Sequence, residues 1–135
     1  MLFRSVSQSR YTSNIPVELF LDGAGGSQRI ILPDDSTWIF TAIVCGHLTS
    51  GSTTDYKCGY KFEGILTRKA GASSVEFVGQ PIQTLLSNNT SNTGSPWNVS
   101  IYANTTYGGL SIRVTGTSGQ VVRWLASVTT TEVTT

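Results

Sequence analysis

Apolar side chains recur at every second position along most of this chain, and no window shows the sustained i, i+3, i+4, i+7 spacing of a helix face. That periodicity confines the chain to β-structure, because a strand turns successive side chains to opposite faces. The clearest segment is Thr37-Trp38-Ile39-Phe40-Thr41-Ala42-Ile43-Val44-Cys45, apolar on both faces, which predicts a central strand covered on two sides. From Asp55 to Arg68 the pattern is half-buried, with Tyr56, Cys58, Tyr60 and Phe62 opposite Lys57, Gly59, Lys61 and Glu63. Gly64 then breaks the phase before Ile65 and Leu66, as a bulge or bend would. Alternation returns at Trp97 to Ala103, Leu110 to Val114 and Val121 to Val128, and Gly116-Thr117-Ser118-Gly119 predicts a hairpin between the last two. With shorter candidates at Val17 to Leu21, Gln28 to Leu32, Val75 to Val78 and Ile82 to Leu86, the sequence predicts eight or nine strands. The fold class is therefore all-β, an antiparallel, jelly-roll-like β-sandwich with Trp38, Phe40, Tyr60, Phe62 and Trp124 in its core.

At 135 residues this is one domain, divided by the sequence into an extended N-terminal arm, 1–16, and a single β-sandwich, 17–135. Met1 to Pro16 is polar and Ser-rich, without the apolar core of a signal peptide. Ser, Thr and Gly make up 50 residues, but 39% apolar content and thirteen aromatics argue against disorder. Charged residues are 13%, about half the usual ~25%, and the net charge is +1 without runs of one sign. Nucleic acid is excluded as a partner on that ground, since binding it needs clustered Lys and Arg. Membrane spanning is excluded too, because the longest apolar run, Trp38 to Val44, is far too short. Placing Gly51 and Ser52 at a hairpin centre sets Cys45 opposite Cys58 on one face. A disulfide is then conceivable, but two cysteines without a secretion signal favour free thiols.

Catalytic constellations are missing. The single histidine, His47, sits in a predicted loop with no G-x-S-x-G elbow anywhere to provide a nucleophile. Cys45, Cys58 and His47 meet as zinc ligands only in a distorted sheet, so no metal and no cofactor are expected. Asp34 and Asp35 are adjacent, which turns their carboxylates apart, and Pro33 and Ser36 make them a turn. Asp22-Gly23 reads as another turn, and the Gly23-x-Gly25-Gly26 run precedes a strand, not a helix that would cradle phosphate. The chain is therefore expected not to be an enzyme. Trp97 begins a strand, and Tyr102 and Tyr107 flank the Asn104-Thr105-Thr106 loop. Trp97, Tyr102, Asn104 and Tyr107 are the candidates for contact with a receptor or a neighbour. Asn88, Asn89, Asn98 and Asn104 each fit N-x-[ST], matches that so much Ser and Thr makes by chance.

Several segments taken in order resemble a β-rich module of tailed-bacteriophage virion proteins. They are Val17 to Gly23, Ile30 to Phe40 with its Leu32-Pro33-Asp34-Asp35-Ser36, Tyr60 to Gly64, Leu110 to Gly116 and Val122 to Val133. The similarity runs from about residue 8 to the end. In that group the module often stands at the C-terminal end of tail fibres and related appendages. The resemblance implies a non-enzymatic virion component, assembled in the bacterial host cytoplasm, and a homotrimer or an element of a larger symmetric array. A capsid decoration (cement) protein, a tail-fibre tip or a tail accessory subunit all fit a copy with only a short arm. In that setting Met1 to Pro16 would reach over a neighbouring capsid or tail subunit. Leu2 and Phe3 would serve as apolar anchors, and Arg4 and Arg10 would pair with acidic groups. The alternative is a receptor-binding tip whose loops, Ser87 to Pro96 and Asn104 to Gly109, touch host surface glycans.

Overall fold

A computed structural model describes residues 2–11, 15–23, 26–90 and 96–135. Among the described residues ten strands follow one another: β1 (Leu2–Tyr11), β2 (Val17–Glu18), β3 (Ile30–Ile31), β4 (Ser36–Ser50), β5 (Lys57–Arg68), β6 (Glu76–Phe77), β7 (Ile82–Asn88), β8 (Asn98–Asn104), β9 (Gly109–Thr115) and β10 (Val121–Thr134). They form two antiparallel sheets. The larger runs β1-β10-β4-β5, with β6 and β7 sharing the free edge of β5. In the smaller, β8 takes one edge of β9 while β2 and β3 share the other. Two edge positions are thus strands interrupted by an excursion, and the sandwich has eight strand positions filled by ten segments.

The sheets face each other through the apolar set that the alternation singles out. Trp38, Phe40, Ala42, Val44, Tyr60, Phe62, Leu66, Trp124 and Val128 from the large sheet meet Val99, Leu110, Ile112 and Val114 from the small one, all buried. Gly46 lies directly beneath the Trp124 ring, where a Cβ would come within 2.5 Å of a ring carbon. Arg68 ties the layers together at one end. Its guanidinium pairs with Asp34 and donates to the backbone carbonyls of Leu32 and Gly108. Gly108 holds a left-handed φ of 76°, and a side chain there would collide with that guanidinium.

Four expectations change. Leu2–Tyr11 is not an arm beyond the sandwich but a strand on β10, antiparallel, with Arg4 opposite Val128 and Val6 opposite Ala126. Its period-two pattern was diluted by serines, yet Val6 is buried and reaches the core. β9 and β10 make no hairpin. The turn closed by Gln120 N–H to Thr117 carries the chain from the small sheet to the large one. Gly64 makes no bulge, for β5 pairs with β4 without a register shift. The glycine instead leaves room for the Phe40 ring, 3.2 Å from where its Cβ would be. Lastly, β4 is central within its sheet but covered on one face only, with Ile39 56% and Ile43 49% exposed on the other.

Candidate functional site

Two outward faces carry the side chains with something left to bind. On the large sheet, the register of β4 with β10 sets out five successive outward pairs: Cys45 with Leu125, Ile43 with Ser127, Thr41 with Thr129, Ile39 with Thr131 and Thr37 with Val133. None is charged. The next strand, β5, adds Gly59, Lys61, Glu63, Ile65 and Thr67 to the same rows, and Lys61 pairs with Glu63 at 3.6 Å. A second group of charges lies at one end of the face, in the row of Arg123, His47 and Lys57. There Asp55 takes hydrogen bonds from Lys57 (3.0 Å) and His47 (2.8 Å), which hold its carboxyl below the usual range, Lys57 having the larger effect.

The cysteines do not meet. Cys45 lies opposite Gly59 and Cys58 opposite Gly46, one residue from the predicted register, because the loop after β4 is centred on Ser52. A one-residue slip turns a side chain to the other face. Cys45 is accordingly exposed on the outer face and Cys58 buried in the core, both as free thiols. Burial pushes the Cys58 thiol up to about 12, with a smaller contribution from Cys45. His47 sits on β4, exposed, not in a loop.

A cleft of about 340 Å³ opens on the outward side of the small sheet. β2 contributes Glu18, β8 Tyr102 and β9 Arg113, with the buried Ser111 behind them, Tyr102 lying opposite Ser111 and Glu18 opposite Arg113 in the register. Ser111 donates to Glu18 Oε2 (3.0 Å), and Arg113 Nε donates to the Tyr102 hydroxyl (2.8 Å) with its guanidinium over that ring. The far wall is the tight turn after β8. Asn104 is buried, takes the backbone N–H groups of Thr106 and Tyr107 on Oδ1, and donates from Nδ2 to Ser111. Arg29 closes the third side, its guanidinium 3.8 Å from the Tyr107 ring centroid and 4.9 Å from that of Phe20. Its Nε stands 3.2 Å from Glu18 Oε2, close enough to pair as an ion, but the N–H does not point at the carboxylate and makes no hydrogen bond.

The sequence candidates divide accordingly. Tyr102, Asn104 and Tyr107 come together in this cleft, and Tyr107 is 47% exposed. Trp97 does not join them and is corrected to a core residue. It is 1% exposed, packs against Trp124 and Tyr56, and donates Nε1–H to Gln120. Alternation from Trp97 onward places it on the inner side with Val99, a phase its position next to Pro96 obscured. Arg4 stacks over Trp38 and pairs with Glu132 of its own chain at 2.9 Å. The side chains of Leu2, Phe3 and Arg10, expected as anchors and ion-pair partners, lie outside the described residues. Glu18, Arg29 and Arg113 were not singled out, since only folding brings β2, the approach to β3 and β9 together.

No family model matches the sequence, and no curated protein does. Among solved structures the chain is similar to the Acinetobacter phage vB_ApiP_P1 tailspike protein, at 13% identity and a TM-score of 0.42. The match takes in 96% of this chain and 21% of the tailspike chain, so the domain spans about a fifth of that protein's length.

Proposed function

We propose that this chain is a non-enzymatic structural subunit of a bacteriophage virion, a capsid decoration protein or a tail-fibre component, that works by packing against its own copies and against other virion proteins. The observation that carries the reading is the uncovered second face of β4. Its sequence is apolar on both sides, the fold buries one, and Ile39, Ile43 and Leu125 remain about half exposed across β4 and β10. A charged partner would lose hydration against the β4 and β10 strip, beside which Lys61 and Glu63 already pair with each other, whereas a second copy brings an equally uncharged strip and no like-charge repulsion. Copies of this chain are therefore its occupants, and the resemblance in sequence supports three of them in a virion setting. Arg4, which is engaged with Glu132, is occupied within the chain and not part of the contact.

Light scattering on the purified protein tests the contact. A homotrimer is expected for the natural chain and a monomer for Leu125→Glu or Ile43→Glu, each folded by circular dichroism. A natural chain that is monomeric at high micromolar concentration would overturn it. Electron microscopy of phage particles labelled with an antibody against the protein tests the setting, with label on capsid or tail expected and unlabelled particles contradicting it.

A further inference from the structure

We propose that the cleft on the small sheet binds an acidic saccharide, a sugar whose carboxylate is held by Arg113. This goes beyond the packing role and is independent of it, because the cleft belongs to the other sheet. Three features argue for it. First, the cleft is preshaped: Asn104 fixes the 104–108 turn with three hydrogen bonds, and Ser111 fixes the Glu18 carboxylate. A ligand therefore does not have to order its own binding loop. Second, the charges facing it are Arg29, Arg113 and Glu18, an excess of one positive. Glu18 is occupied by Ser111 and Arg29, and Arg29 is held between two rings. Arg113 is exposed, and among the described residues its terminal nitrogens take no partner in the protein, so its planar fork is open to a carboxylate. Third, the remaining lining suits a ring bearing hydroxyls: Tyr107 presents an exposed aromatic surface, and the exposed Thr105 and Thr106 supply donors and acceptors, while the Tyr102 hydroxyl is engaged with Arg113 and Glu18. An apolar ligand would strand these groups.

The test is binding of the folded full chain to uronic- and sialic-acid oligosaccharides alongside the same sugars with the carboxyl reduced to an alcohol, by glycan array and then calorimetry. Acidic forms are expected to bind roughly tenfold or more tightly than their reduced partners, the scale of one charge-assisted hydrogen-bonded pair. Arg113→Gln, whose side chain keeps donors but no charge, is expected to erase that difference while leaving the melting temperature unchanged. Tyr107→Ala should weaken both forms. Three results would overturn the proposal: no saccharide bound by the folded protein, equal affinity for acidic and reduced forms, or inorganic phosphate displacing the sugar as well as free uronate does. Leu125→Glu, which disrupts the large-sheet face alone, should leave saccharide binding intact. Loss of the trimer with retained sugar binding, or the reverse, separates this proposal from the packing role.

Discussion

At the scale of single residues, the two thiols show how much depends on register. Period-two alternation marks Trp38, Phe40, Tyr60, Phe62 and Trp124 as inward without any knowledge of loops, because each phase is set within its own strand. Cys45 against Cys58 required the centre of a loop, which alternation does not encode, and an error of one residue moved Cys45 to the opposite face. Two outcomes follow from the observed placement. In the monomeric Ile43→Glu protein, where the outer face is free, a thiol reagent at pH 8 should modify one cysteine per folded chain, lost on adding Cys45→Ser, with the second reacting only on unfolding. Cys58 also links stability to pH. Its folded pKa of about 12 lies above the 9.0 of an unperturbed thiol, so stability is fully present below about 9 and lost as pH rises through the interval. Denaturant midpoints measured from pH 7 to 11 should fall above 9 in the natural chain, and the component due to this thiol should vanish in Cys58→Ala. Gly46 makes the complementary point about volume. With a Cβ due 2.5 Å from the Trp124 ring, Gly46→Ala should cost about 1–3 kcal/mol of unfolding free energy, the price of overpacking.

At the scale of elements, what sequence hides is membership rather than type. Every long segment with clear alternation is a strand, but nothing local says that β9 and β10 enter different sheets, or that Leu2–Tyr11 joins the last strand of the chain. Contacts between residues more than a hundred positions apart leave no trace in a window of ten. β1 is stabilised at Arg4, which donates to Thr130 (3.0 Å) and Glu132 (2.9 Å) while its guanidinium lies 4.5 Å over the Trp38 ring, and at Val6, buried against Ala126. Arg4→Ala leaves a partly buried Glu132 without its charge partner and should lower stability by about 1–3 kcal/mol. Removing residues 1–11 also forfeits the ~1.5–3 kcal/mol of burying Val6 and opens the β10 edge. Differential scanning calorimetry should show the melting temperature falling by about 10 °C or more. A truncated protein that melts with the natural one would restore the arm in place of the strand.

At the scale of the whole molecule, the unequal widths of the sheets decide what is exposed. The sandwich seals a core between the layers but leaves an apolar, uncharged strip along β4 and β10 on the outward side of the larger sheet, beside the Lys61–Glu63 pair, while the outward side of the smaller carries arginine, glutamate and tyrosine. The first face was legible in the sequence as a strand apolar on both sides. Half of the second was not, since Glu18, Arg29 and Arg113 come from three segments and only Tyr102, Asn104 and Tyr107 are neighbours along the chain. Such faces must answer differently to solvent. Contact through Ile39, Ile43 and Leu125 removes apolar area from water, and the neighbouring Lys61 and Glu63 already pair with each other, so raising salt across a range where the Debye length falls from about 10 Å to 3 Å should not dissociate the copies. Cooling should weaken their association, as apolar burial loses strength at low temperature. Saccharide held by the Arg113 charge should instead be released by salt and retained on cooling. Sedimentation velocity and sugar binding on one preparation, at 0.1 and 1 M NaCl and at 5 and 25 °C, would separate the two. Dissociation of the copies by salt alone would mean that charged residues, such as the Arg123, His47 and Lys57 row, hold them together and that the apolar strip is not the contact.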